Sequence, residues 1–238
     1  MATMIRTAMF LLCLWPAALA AQDRPVLKVL FLGNSYTAYH HLPSQVADLL
    51  ASGSKPIEVR YEAMTPGGFT LERHAADPEV LRLIESGRWD AVVLQEQSLR
   101  PLREPRKMTA AARELQDVIA SAGAEAVLFQ TWPRANRPKS MGELARAYRM
   151  TAGLIGAATA PVGQAWQRAR KRHPEIVLYD ADGSHPAPAG TYLAACVIAA
   201  KIGDRDPRGF DAALPAGVTE AEAEILRDIA YVTLNKVN

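Results

Sequence analysis

Two short stretches of this 238-residue chain hold residue types that together make a nucleophile and its base. In Leu30-Phe31-Leu32-Gly33-Asn34-Ser35-Tyr36-Thr37, a serine follows an apolar run by only two residues. In Asp182-Gly183-Ser184-His185-Pro186, an imidazole lies three residues after a carboxylate. A serine hydroxyl attacks poorly until a neighbouring base takes its proton. An imidazole can be that base, and a carboxylate on its other ring nitrogen fixes the tautomer and stabilises the imidazolium. The Asp182-to-His185 spacing suits a compact turn that folds the carboxylate back on the ring. The chemistry open to such a set is acyl transfer through a covalent intermediate. Each stretch also has an ordinary structural use. Ser and Asn follow strands as turn formers and helix caps, and an Asp-Gly turn before an exposed His is common.

The surrounding pattern is that of a fold able to bring the two stretches together. Val26 to Leu32 is a nearly continuous apolar run broken only by Lys28, short enough for a buried strand. Pro43 to Ala51 has helical spacing, and Ile57 to Tyr61 alternates like a strand nearer a sheet edge. Asp77-Pro78 is a cap with proline in the first turn of a helix running to about Ser86. Asp90 to Gln95 and Ala126 to Phe129 read as further strands, with a short fifth at Ala160 to Val162. Helices are expected at Pro105 to Ala120, Met141 to Ala158, Gln164 to Arg172, Pro188 to Ile202 and Thr219 to Asn235, the last opened by the capping-box pair Thr219 and Glu222. Strand and helix alternate, which predicts a parallel sheet covered on both faces, with ligands in the crevice beyond the carboxyl ends of the strands. Ser35 would stand at that edge.

Composition narrows the classes of partner. The apolar fraction is 49%, ordinary for a globular protein, and 27 basic against 25 acidic side chains give a net charge of +2. No Lys/Arg run forms a nucleic-acid footprint, so small or neutral partners are expected. Residues 1–20 place Arg6 before an apolar run from Ala8 to Trp15 and end in Ala18-Leu19-Ala20, the layout of a cleavable secretory signal. The run is shorter than the about 20 apolar residues a spanning helix needs. The expectation is export to the periplasm or the medium, a single domain over residues 21–238, and no stable membrane span. Cleavage also removes Cys13 and leaves Cys196 alone in an apolar stretch, where it reads as a buried inert thiol. The sequence sets no oligomeric state.

Taken together, the two stretches resemble the SGNH, or GDSL-like, hydrolase superfamily, in which a serine after the first strand works with a C-terminal Asp-x-x-His pair. The resemblance is strengthened by Val92-Val-Leu-Gln-Glu-Gln-Ser98, Thr131-Trp-Pro133 and Gly190-Thr-Tyr-Leu193, and it spans roughly residues 26 to 203. These motifs look like those of a subgroup of exported bacterial proteins. The resemblance implies a flavodoxin-like α/β/α sandwich with a five-stranded parallel sheet in the order 2-1-3-4-5. It implies a serine esterase acting on a small acyl ester, O-acetyl on a carbohydrate for example, with Ser35, His185 and Asp182 as its catalytic residues. It implies no metal or other cofactor. An oxyanion hole would then use the N–H groups of Ser35 and Gly68, the latter in Thr65-Pro66-Gly67-Gly68-Phe69. The family's third motif supplies an Asn side chain, whereas this chain has Gln95-Glu96-Gln97. A Gln amide offers the same donor on a longer arm, with Gln95 the first choice and Gln97 the second.

Other candidates are weaker. His40 and His41 are adjacent, so their side chains diverge and seldom share one metal ion. His74 and His173 read as surface or helix-end residues. Trp132 and Arg134 follow the fourth strand and are candidates to line the substrate side, with Trp132 a sugar-stacking face or a loop anchor. Glu96 reads as solvated or paired with an arginine, and Arg100, Arg103 and Arg106 as a solvated face. The first turn, Gly-Asn-Ser-Tyr-Thr, lacks the Gly-x-Gly-x-x-Gly of a dinucleotide site. The competing functional class is a noncatalytic carbohydrate-binding module that keeps the hydrolase fold.

Overall fold

The computed structural model describes residues 25–236, so the expected export signal at 1–20 lies outside the described residues. The first strand, β1 (Val26–Leu32), is followed by α1 (Ser35–Ala38), a turn at Tyr39–His41, α2 (Leu42–Ala51) and β2 (Glu58–Met64). Next come α3 (Leu71–Ala75), α4 (Pro78–Ser86), β3 (Ala91–Leu94), α5 (Arg100–Arg103), α6 (Pro105–Ser121) and β4 (Glu125–Phe129). The chain finishes with α7 (Met141–Ile155), β5 (Ala158–Ala160), α8 (Val162–Arg172), α9 (Pro188–Gly203) and α10 (Glu220–Leu234).

The five strands form one parallel sheet in the order β2-β1-β3-β4-β5, as the resemblance implies. Two-residue periodicity sorts the side chains of β1 onto opposite faces. Val29 and Phe31 enter one core with residues of α2, α8, α9 and α10. Leu30 and Leu32 enter the other with residues of α3, α4, α6 and α7. All four are fully buried, each contributing about 1.5–3 kcal/mol by leaving water. The long apolar stretch Ala189 to Ala200 is buried on every side of α9, which packs against α2, α8 and α10. Cys196 is a buried free thiol there, and burial pushes its pKa up to about 12. Among the described residues, no helix is long and apolar enough to cross a membrane.

Boundaries differ where a glycine intervenes. The seventh helix ends at Ile155 rather than Ala158 because Gly156 takes the left-handed conformation (φ 69°) that closes it. The fifth strand accordingly starts at Ala158, two residues before its expected start. The capping box of α10 is present, with Thr219 and Glu222 bonding reciprocally. The short helices α3 and α5 give no sequence signal, being too short for a periodic pattern.

Candidate active site

The nucleophile turn is built by contacts from three strands. At the end of β1, the Gly33 N–H donates to the Met64 carbonyl at the end of β2 (3.0 Å). Asn34 caps α1 by accepting the Tyr36 N–H (3.1 Å), and its amide donates to the Phe69 carbonyl (2.8 Å). From the end of β3, the Gln95 side-chain oxygen accepts the Asn34 N–H and the Thr37 hydroxyl, both at 2.9 Å. A Cβ on residue 33 would lie 2.4 Å from Thr37 Oγ1 and 2.8 Å from Gln95 Oε1, so only glycine fits. Ser35 is thus fixed as the first residue of α1, half-buried, with its N–H at the helix position that has no intrahelical acceptor.

The second stretch folds back on the first. Asp182 Oδ1 accepts the N–H groups of Ser184 (2.8 Å) and His185 (2.9 Å), and Gly183 takes φ 66° to close the turn. Asp182 Oδ2 lies 2.5 Å from His185 Nδ1, and His185 Nε2 lies 2.8 Å from Ser35 Oγ. Desolvation raises the Asp182 pKa, but hydrogen bonds from the His185 ring and the two N–H groups outweigh it and hold the carboxyl at about 2. The ionised carboxylate therefore accepts a hydrogen bond from Nδ1–H, which leaves the Nε2 lone pair facing the serine hydroxyl. The loop is held from below by Tyr36, whose hydroxyl lies 2.7 Å from Ser184 Oγ, and by the Trp132 indole N–H, which donates to the Ser184 carbonyl (3.1 Å). Tyr39 stacks on the His185 ring with centroids 4.4 Å apart and planes 13° apart. This arrangement can move a proton from Ser35 to His185 while Asp182 stays charged.

Several expected positions have other surroundings. Gln95 is fully buried, and its amide nitrogen donates to the Glu96 carbonyl (2.6 Å). Its oxygen serves Asn34 and Thr37, so the network fixes the amide orientation and the side chain braces the nucleophile turn instead of reaching an oxyanion. Gln97, the second choice, turns its side-chain oxygen to the N–H groups of Leu99 and Arg100. Gly68 is exposed with φ 70°, in a loop tied to the nucleophile turn through Asn34 and Phe69. Trp132 is not a sugar platform: it is fully buried, stacked between Tyr36 (4.7 Å) and Trp166 (3.9 Å). It is the loop anchor of the two expectations.

His74 is not at the surface. It is fully buried, its Nε2–H donates to the Gly33 carbonyl (2.8 Å), and burial lowers its pKa. Glu96 is also fully buried, with Oε1 accepting the N–H groups of Leu71 (3.2 Å) and Gln97 (2.7 Å). Burial raises its pKa to about 7 against those bonds and the charge of Arg100. Arg100 is mostly covered and pairs with Glu72 and Glu104 rather than facing water alone. Arg134 donates to the Ser98 hydroxyl at the strand-end crevice. His173 ends α8 as expected, and His40 bonds to the Pro186 carbonyl (3.1 Å). Tyr36, Thr37 and Tyr39 were missed as site residues, although all lie within four residues of Ser35.

A proposed SGNH hydrolase from Slackia heliotrinireducens is 33% identical to the chain, covering 73% of it and 97% of its own length, with a TM-score of 0.62. The chain belongs to the SGNH hydrolases. Membership makes it a hydrolase by family. A DUF4886 family protein from Bacteroides uniformis shares the fold over 88% of this chain and 95% of its own, at 20% identity and a TM-score of 0.74. An acetyl xylan esterase shares the fold at 15% identity and a TM-score of 0.54, over 72% of this chain and 98% of its own. No protein-family model matches this SGNH hydrolase, and no curated protein does.

Proposed function

We propose that this SGNH hydrolase is an exported serine esterase that removes a small acyl group, O-acetyl first among them, from a carbohydrate. The observation that carries the reading is the continuous hydrogen-bonded line Ser35 Oγ, His185 Nε2, His185 Nδ1, Asp182 Oδ2, with links of 2.8 and 2.5 Å. Ser35 Oγ attacks the ester carbonyl as its proton passes to His185 Nε2, and Asp182 stabilises the imidazolium that forms. Return of that proton to the leaving alcohol breaks the C–O bond and leaves an acyl-Ser35 ester. Water, deprotonated by His185, then releases the acid and restores the serine. The Ser35 and Gly68 N–H groups are the proposed oxyanion donors, each worth roughly 3 kcal/mol of barrier.

Support for a bulky alcohol comes from the openness of the site: the side chain of Asp182 is 48% exposed and that of His185 25%. A polysaccharide chain can approach such a shallow centre. The acetyl xylan esterase of like fold makes acetylated xylan the first substrate to test. Release of acetate from acetylated xylan, acetylated sialic acid, O-acetylated peptidoglycan or p-nitrophenyl acetate, lost in Ser35→Ala, is the expected result. Tight binding of a glycan by a protein that releases no acid from any of them would instead favour a noncatalytic carbohydrate-binding module. Export is tested by the mature N-terminus, which is expected just after Ala20 when the whole chain is expressed in a secreting bacterium.

A further inference from the structure

The turn between α1 and α2 has an unusual backbone. His40 (φ 49°) and His41 (φ 55°) are successive non-glycine residues in the left-handed region, where a Cβ crowds the following carbonyl. Two such residues in a row persist only when their surroundings hold them, and such strain gathers at functional sites. Here the surroundings are visible. The His40 Nε2–H donates to the Pro186 carbonyl (3.1 Å), immediately after His185, and the Gln45 amide donates to the His40 carbonyl (2.8 Å). The turn thereby clasps the loop that carries the base. At its head, the half-buried Tyr39 lays its ring parallel to the imidazole of His185 at 4.4 Å, while Tyr36 meets the same ring edge-on at 5.5 Å.

We propose that Tyr39 is a positioning residue for His185: its ring face holds the imidazole in line with Ser35 and stabilises the imidazolium formed during attack, and the strained His40-His41 turn keeps it there. The inference rests on the esterase reading of Ser35 and His185. An aromatic face carries negative charge density and attracts a cation more than a neutral ring. The stack therefore strengthens when the proton arrives, and an interaction stronger in the transition state than in the ground state raises kcat rather than lowering KM. The need for a second support follows from exposure. On its Nδ1 side the ring is oriented by the hydrogen bond to Asp182, and with that side chain 48% exposed, water competes for the bond.

The test compares Tyr39→Phe, Tyr39→Leu and Tyr39→Ala using p-nitrophenyl acetate, together with the low-field proton resonance of His185 Nδ1–H, assigned by its loss in His185→Ala. Tyr39→Leu keeps apolar bulk and guards against a variant that fails only because it does not fold. The Leu and Ala variants are expected to lose roughly tenfold in kcat with KM within about twofold, and Phe to stay within about threefold of wild type. The Nδ1–H signal should persist in Tyr39→Phe and broaden into solvent exchange in Tyr39→Leu. Wild-type kcat in Tyr39→Leu, equal loss in Phe and Leu, or a change confined to KM overturns the proposal. If the wild-type protein turns over no ester, the esterase reading fails on its own, and the resonance decides alone: a sharp signal in Tyr39→Leu overturns the positioning role.

Discussion

The side-chain oxygen of Gln95 lies 2.9 Å from the backbone nitrogen of Asn34 and so braces the residue immediately before the nucleophile from the end of a neighbouring strand. The same oxygen accepts the Thr37 hydroxyl, and both donors are buried. Gln95→Ala removes that acceptor and leaves two buried donors unpaired, a loss of roughly 2–4 kcal/mol. Denaturant unfolding should show that loss together with a fall in kcat. An oxyanion donor would behave differently, with kcat falling at wild-type stability.

Glu96 ties the turn after β3 to the first residue of α3, and burial raises its pKa from 4.5 to about 7. A raised folded-state pKa means that the folded protein holds the proton more tightly than the unfolded chain. The associated stability is complete below about pH 4.5 and is lost as pH rises through about 7. Glu96→Gln keeps a side-chain acceptor for the Leu71 and Gln97 N–H groups and has no charge to bury. The gap in unfolding free energy between Glu96→Gln and wild type should therefore widen in favour of the variant by about 3 kcal/mol between pH 4.5 and 7.5. A gap independent of pH contradicts this account.

Trp132 shows why part of the site was not legible in the sequence. It follows β4 directly, but whether it faces substrate or core depends on Tyr36, Trp166 and Ser184, which lie far from it along the chain. The bracing role of Gln95 and the burial of His74 at its helix end are hidden for the same reason: their partners at Asn34 and Gly33 are 61 and 41 residues away. By contrast, β1 with its apolar run and the Asp182-to-His185 spacing are local patterns that the sequence displays directly, while the strand order follows from the resemblance. The left-handed pair at His40 and His41 carries no glycine to mark it.

As a buried anchor, Trp132 should affect stability rather than sugar affinity. Trp132→Phe keeps an aromatic ring between Tyr36 and Trp166 but leaves the Ser184 carbonyl without its indole donor, costing about 1–3 kcal/mol. Thermal unfolding should register the loss while KM for an acetylated glycan stays near wild type. A large KM increase at unchanged stability would restore the stacking-platform role.

The exposed His41 offers a test of backbone strain. Glycine removes the left-handed penalty of about 1–2 kcal/mol and adds about 0.5–1 kcal/mol of unfolded-state entropy, so His41→Gly should gain roughly 0.5–1 kcal/mol. Equilibrium unfolding decides it, and a destabilised variant would mean that the His41 side chain contributes more than its exposure indicates.

The most direct measurement is intact-protein and peptide mass spectrometry after reaction with a serine-directed phosphonate. The account predicts one adduct, on Ser35, formed rapidly by wild type, absent in Ser35→Ala and abolished or slowed by about a thousandfold or more in His185→Ala, because the hydroxyl then has no base 2.8 Å away. An unlabelled wild-type protein, or labelling of Ser35 at the same rate without His185, would contradict it.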